Sequence, residues 1–328
     1  MDSGLHDFSQ QDLKVSVYDG AAEKRTMYLG DRRYMVKFGY TLDEDKLNSS
    51  RTAYINTPVN EFIGSSVFAA AGFDTQKVLL GTYRGHSVVA CEDFMQDRGP
   101  GDRLIHFKQL EISMPGESGR SKARPEWDFV RHVIEDSPDL DALRGRTMER
   151  FLRMTCVDAL IGNFDRHSNN WGFITDARSN IIDLAPIYDC GSSLAPHLSD
   201  DEMRARLADP SLMREANLAS PTMSMNVHGK RHKYAYFLLS DQARDFRREL
   251  VDLWSRIGKD VTDRVIDNVP GIDDLHRDFY RATLDARREY VLKPALHLAL
   301  EETRTGPEIH PLTTDGEKRT RRHRRHAR

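Results

Sequence analysis

The chain has 328 residues, 39% of them hydrophobic and 30% charged, with a formal net charge of −3. This is the make-up of a globular protein of one large domain or two modest lobes, and it excludes a disordered chain. Seven Lys/Arg against one Glu in residues 317–328 leave −9 on the rest, an acidic body that excludes a dedicated nucleic-acid binder and leaves only weak contact through the tail.

The N-terminus, Met1-Asp2-Ser3-Gly4, lacks the basic and apolar regions of a signal peptide. No apolar run approaches the roughly 20 residues that span a bilayer, so no membrane partner is expected. Leu13–Tyr18 reads as a strand and Asp19-Gly20 as a turn. Arg25–Leu29 and Arg33–Phe38 read as a hairpin closed by Gly30-Asp31. Residues 59–71 carry apolar positions at helical spacing and stop at Gly72, and two more strands follow near 78–83 and 87–91. Residues 1–95 are thus expected to form a small strand-rich lobe. Residues 95–124, rich in Gly, Pro and Ser, read as a connection and a loop. Helices are expected at 127–135, 147–161, 201–208, 233–257, 259–267 and 272–304, the second apolar on both sides as in a buried helix. Residues 96–310 therefore read as a helical back half and 311–328 as a disordered basic tail. Cys91, Cys156 and Cys190 are odd in number and scattered, so no disulfide framework is implied and a reducing cytoplasm is expected.

Residues 162–171 read Gly-Asn-Phe-Asp-Arg-His-Ser-Asn-Asn-Trp, and Tyr188-Asp189 follows. Phosphoryl transfer from ATP needs a carboxylate to orient the attacking hydroxyl, with an amide and a second carboxylate to hold Mg²⁺. Protein kinases supply these as Asp-x-x-x-x-Asn followed by a later Asp. Asp165 is accordingly the candidate base, with Asn170 and Asp189 the candidate metal ligands. A single Asp or Asn in a loop is more often a turn or cap residue; three in register favour chemistry. Lys37, alternating with apolar residues at a strand end, needs an anionic partner if buried. Glu61, opening the helix at 59–71, or phosphate would serve. Gly20-Ala21-Ala22-Glu23-Lys24 sits at a strand–strand turn where backbone N–H groups and Lys24 would cover phosphates, although it matches neither Gly-x-Gly-x-x-Gly nor a Walker A sequence. His167 has no second His or Cys at zinc spacing, so it reads as a nucleotide contact or a loop brace. Arg166 reads as a brace for the activation segment or as a solvent-facing residue.

With these residues assembled, the chain resembles the HipA-like serine/threonine kinases, particularly their shorter branch. The resemblance rests on residues 158–173 and 185–194, and more weakly on 18–24, 34–38, Asn60-Glu61 and Glu92-Asp93-Phe94. It covers roughly residues 15–240. It implies an α+β, two-lobed protein-kinase-like fold with a small strand-rich N-lobe and a larger helical C-lobe, using ATP and Mg²⁺. Asp165 would be the base, Asn170 and Asp189 the metal ligands, and Lys37, paired with Glu61, the phosphate lysine. Gly20, Ala21, Ala22, Glu23 and Lys24 would form the phosphate loop, Glu92, Asp93 and Phe94 the adenine hinge, and His167 a nucleotide contact. The resemblance also implies an unidentified protein substrate, autophosphorylation with Ser16 the nearest serine, and an antitoxin-like partner in a toxin–antitoxin pair. It further implies an extra N-terminal subdomain in full-length relatives, which this chain, beginning almost at the phosphate loop, is expected to lack. Two alternatives share the motif: a small-molecule kinase of the aminoglycoside or choline type, and a nucleotide-binding pseudokinase docking through its tail. The intact Asp165, Asn170 and Asp189 argue against the second.

Overall fold

A computed structural model describes residues 4–16, 24–39, 55–114 and 125–305. Residues 20–23 of the expected phosphate loop and the basic tail lie outside these.

The front of the chain folds into a six-stranded sheet in the order β1-β5-β6-β4-β3-β2. Its strands are β1 (His6–Asp7), β2 (Lys14–Val15), β3 (Lys24–Leu29), β4 (Arg32–Phe38), β5 (Val78–Tyr83) and β6 (His86–Glu92). β1 lies parallel to β5 and the other pairs are antiparallel. Gly30, at φ +57°, lets the two-residue link to Asp31 turn β3 into β4. Side chains alternate across the sheet. Tyr34, Val36 and Phe38 join Phe8, Met27, Val88 and Ala90 in a cluster on one face. Met35 and Lys37 point the other way, opposite Cys91 and Val89 in the ladder, toward helix α1 (Thr57–Ala70). Lys24 is the direct cross-strand partner of Lys37, which sets two ammonium-bearing side chains on one face. Helix α1 carries Pro58 in its first turn, where the missing N–H costs nothing.

The stretch expected to be a loop after residue 95 is structured up to residue 114. It holds a 3₁₀ turn (Phe94–Asp97), strand β7 (Arg103–His106) and helix α2 (Phe107–Ser113). β7 was hidden because its partner is remote: it pairs with β8 (Gly172–Thr175), and β9 (Ile181–Leu184) completes a three-stranded sheet. Gly172 permits this approach, since a side chain there would meet the Ile105 carbonyl oxygen at 2.1 Å.

The back half contains α3 (Trp127–Asp136), α4 (Arg144–Ile161), α5 (Asp200–Ala208), α6 (Pro210–Ala219), the hairpin β10 (Thr222–Val227) and β11 (Lys230–Lys233), then α7 (Tyr234–Phe237), α8 (Arg244–Leu253), α9 (Lys259–Asp267), α10 (Asp274–Arg287) and α11 (Lys293–Thr305). Two expected helices are subdivided. The span 233–257 breaks at Ser240, which is extended and starts a 3₁₀ turn, and 272–304 contains a π turn at Arg288–Leu292. Helix α6 and the hairpin were not anticipated. Asp209 and Pro210 explain its entry, because the Asp209 side chain accepts the Ser211 and Leu212 N–H groups and Pro210 sits in the first turn. α4 runs through the core, where Phe151 packs on Trp127, Trp171 and Phe246. No helix among the described residues is long and apolar enough to cross a membrane.

Candidate active site

Helix α4 ends at Gly162, whose left-handed backbone (φ +69°) turns the chain into the motif-bearing loop. Asn163 fixes that loop. Its Nδ2 donates to Asp158 Oδ1 and its Oδ1 accepts the Asp165 N–H, both at 3.0 Å, while its carbonyl accepts the Tyr234 hydroxyl at 2.7 Å. Asp165 thus stands on a rigid turn with its carboxylate half exposed. Asn170 Nδ2 donates to the Asp165 carbonyl at 2.7 Å. With the amide nitrogen engaged inward, Oδ1 remains as the atom suited to a cation. His167 Nδ1 accepts the Asn169 N–H at 3.2 Å. That places the ring proton on Nε2, the edge 3.8 Å from Asp165 Oδ2.

Arg166 is buried and does not face solvent. Its Nε and Nη2 grip the two oxygens of buried Asp158 at 3.0 and 3.2 Å. Nη1 donates to the carbonyls of Asn170, at 2.9 Å, and Tyr188, and Nη2 reaches Cys190 Sγ at 3.4 Å. A single planar fork therefore joins α4, the loop with Asp165 and Asn170, and the turn with Asp189. Burial alone would favour losing its proton, but Asp158 outweighs that and holds the guanidinium well above the ordinary arginine range.

Asp189 has a left-handed backbone (φ +60°), a strained conformation for a residue with a side chain. Its Oδ1 accepts from Lys37 Nζ at 2.8 Å, and the same ammonium donates to Glu61 Oε2 at 2.8 Å. Glu61 is fully buried. Its Oε1 accepts the Cys190 N–H and its Oε2 the Gly191 N–H, each at 2.9 Å. Helix α1 thereby holds the Asp189 turn by its backbone. Gly64 lets the helix come this close, because a side chain there would meet Cys190 Cβ at 2.7 Å. Burial pushes the Asp189 carboxyl up, but Lys37 overrides it and brings the carboxyl down to about 2. Burial likewise disfavours the Lys37 ammonium, and Asp189 and Glu61 reverse the effect and hold it well above the usual lysine range. Lys24 moves the other way, lowered by burial and by the neighbouring Lys37 charge. Two cations crowded at one end of a sheet face make a natural seat for a polyanion.

Glu92, Asp93 and Phe94 lie where the sheet hands over to the helical half. Glu92 pairs with Arg32 and accepts from the Tyr34 hydroxyl at 3.3 Å. Asp93 pairs with Arg33 and caps the 3₁₀ turn through the Met95 N–H at 2.9 Å. These two carboxylates hold the link itself. Phe94 packs with Met95, Leu104, Ile174, Ala185 and Tyr188, an apolar floor beneath it. The structure thus gathers Lys24, Lys37, Glu61 and Asp189 at one point and ties them through Arg166 to Asp165, His167 and Asn170. Asp158 and Asn163 escaped the sequence reasoning, and of the two readings of Arg166 its burial and contacts match the brace. The usable signal was Asp158, a carboxylate inside an otherwise buried helix, which demands a buried cation. Among the described residues no cluster of three His, Cys, Asp or Glu could hold a metal. Asn170 with Asp189 suits instead an ion such as Mg²⁺, which keeps waters and phosphate oxygens as its remaining ligands.

Residues 14–269 match the HipA-like C-terminal domain. The chain belongs to that family. It is 28% identical over 290 residues to the serine/threonine-protein kinase CtkA of Helicobacter pylori, spanning 85% of this chain and 83% of that protein. The crystal structure of the H. pylori proinflammatory kinase CtkA superposes with a TM-score of 0.80 at 27% identity, over 90% of this chain and 98% of that one. HipA of Shewanella oneidensis MR-1, solved as a toxin–antitoxin complex with HipB and operator DNA, shares the fold at a TM-score of 0.54 and 15% identity, over 86% of this chain and 69% of that one. This HipA-like family member thus has the α+β, kinase-like fold of a serine/threonine kinase, with a strand-rich front and a helical back.

Proposed function

We propose that this HipA-like kinase transfers the γ-phosphoryl group of ATP, with Mg²⁺, to a protein serine or threonine and also autophosphorylates. The observation that carries the reading is the Lys37 ammonium held at 2.8 Å by both Glu61 and Asp189, since kinase catalysis requires the phosphate lysine paired to its helix and the metal carboxylate in place together. Lys37 and Lys24 hold phosphate oxygens. Asp165, half exposed at the end of a fixed loop, orients the acceptor hydroxyl and takes its proton. His167 steadies that carboxylate from the side. Asn170 and Asp189 hold the Mg²⁺, which when bound neutralises charge developing on the transferring group. Glu92 to Phe94 flank the adenine, and Gly20 to Lys24 serve as the phosphate loop. Residues 1–95, 96–310 and 311–328 divide accordingly into nucleotide lobe, catalytic lobe and tail. Family membership extends the proposal to an antitoxin-like partner.

The test is incubation with labelled ATP and Mg²⁺. Label is expected on wild-type protein and on neither Asp165→Ala nor Asp189→Ala. Tight ATP binding with no transfer to any acceptor would refute the reading.

A further inference from the structure

We propose that the β10–β11 hairpin docks the phosphoacceptor segment and selects a hydroxyl flanked by acidic side chains. This rests on the kinase reading and adds a substrate class to it. The hairpin touches the motif-bearing loop directly. Ser224 Oγ donates to the Phe164 carbonyl at 2.7 Å, and Arg231 Nη2 approaches the same oxygen at 3.5 Å while its Nε donates to the Met223 carbonyl at 3.0 Å. Phe164 immediately precedes Asp165, so the Arg231 guanidinium stands one peptide link from the candidate base.

Strand β11 reads Lys230-Arg231-His232-Lys233, with the first two exposed and the others half-buried. Outside its tail the chain carries −9, so three cations in four residues beside the catalytic loop stand out against an acidic background. β11 pairs only with β10 among the described residues. Among the described residues its outer edge thus faces no further strand, and an extended segment can add there through main-chain hydrogen bonds. Tyr236, 62% exposed, lies 5.8 Å below the Lys233 ammonium and offers an aromatic wall at the end of the strand. Glu126 is the carboxylate next to the hairpin, and it is turned to the Gly229 N–H at 3.0 Å. Lysines on an edge strand also discourage unwanted pairing. That reason covers Lys230 and Lys233, but it does not explain an arginine placed at the carbonyl next to Asp165.

Two fluorescent serine peptides of equal length, one with glutamates and one with lysines around the serine, test this by anisotropy on the full chain carrying Asp165→Ala, which blocks turnover. The glutamate peptide is expected to bind roughly tenfold more tightly at low salt, as a few exposed ion pairs would give, and to lose that margin in 0.5 M salt, an ionic strength chosen as about three times physiological. The same loss is expected in Lys230→Glu/Lys233→Glu, and a partial loss in the milder Lys230→Ala/Lys233→Ala, with the ATP-induced rise in melting temperature kept as the control for folding. Equal binding of both peptides, or a glutamate preference surviving the double reversal, overturns the docking assignment whatever the kinase assay shows. A peptide with phosphoserines in place of glutamates, if bound far more tightly, overturns the carboxylate class in favour of phosphate. Acidic preference with no phosphoryl transfer by wild type to any acceptor sustains the surface and sinks the kinase reading instead.

Discussion

Replacing Glu61 by glutamine isolates the clasp between α1 and the Asp189 turn, because the two side chains have the same shape. The carboxylate is fully buried and receives three donors: Lys37 Nζ at 2.8 Å and the Cys190 and Gly191 N–H groups at 2.9 Å. A glutamine has one acceptor oxygen for these three donors, and its NH₂ must point at one of them. The substitution also leaves the Lys37 ammonium in the interior with Asp189 as its remaining close carboxylate. Breaking one partner of a buried ion pair costs about 3–5 kcal/mol, and the surviving Asp189 contact puts the loss near the lower end, about 3 kcal/mol. Urea unfolding followed by circular dichroism measures this through the midpoint at constant slope. In a chain of this size the same loss lowers Tm by on the order of 4 °C. Phosphoryl transfer should fall with it, since Lys37 and Asp189 lose their common anchor. Stability within about 1 kcal/mol of wild type together with unchanged kcat would refute the argument, because a three-donor buried carboxylate far exceeds an ordinary surface change of about 0.5 kcal/mol.

Asp165→Asn should cut kcat by about 10²–10⁴-fold while leaving Tm nearly unchanged, because the carboxylate is half exposed; steady-state kinetics beside a thermal melt checks both. Lys24→Met should leave the nucleotide-free protein as stable or more so, by removing a cation opposite Lys37, yet shrink the thermal shift produced by Mg-ATP; an undiminished shift would show that Lys24 takes no part in holding phosphate. Gly64→Ala forces a methyl group to within 2.7 Å of Cys190 Cβ, and overpacking of this kind costs about 1–3 kcal/mol, measurable by denaturant unfolding with a parallel loss of activity. The Asp189 carboxyl sits at about 2 when folded against an ordinary 3.8, so its contribution is complete above pH 4 and disappears as the pH falls through 2. Asp189→Asn should therefore flatten the stability–pH curve between pH 4 and 2, and an acid limb identical to wild type would contradict the Lys37 pairing.

The two-lobed order was readable because each half signals it locally: alternation with a Gly-Asp link at β3–β4, and a long apolar helix before the Asp165 loop. Lys37 and Glu61, 24 residues apart, could be matched from the strand-then-helix order, and their 2.8 Å contact is now on view. Long-range features were not readable. β7 is four residues long and finds its partner only at Gly172, so no local periodicity marks it. The β10–β11 hairpin mixes Thr, Met, Ser and a run of cations, which obscures any alternation. The choice between brace and solvent-facing residue for Arg166 stayed open because its neighbours are polar; its burial depends on Asp158 eight residues earlier, on a helix whose C-terminal Gly162 reverses the chain and brings the two together. Residues 20–23, most of the expected phosphate loop, fall outside the described residues.

Glu61 grips the peptide groups that follow Asp189, so a swing of α1 would carry the Asp189 turn with it. Any outward rotation of that helix pulls an acceptor from Lys37 and slackens the turn at residues 189–191 in the same stroke. A molecule leaning on α1 from outside would therefore disturb the Asp189 turn without touching it. It has only to act as a wedge on a lever whose short arm is one glutamate.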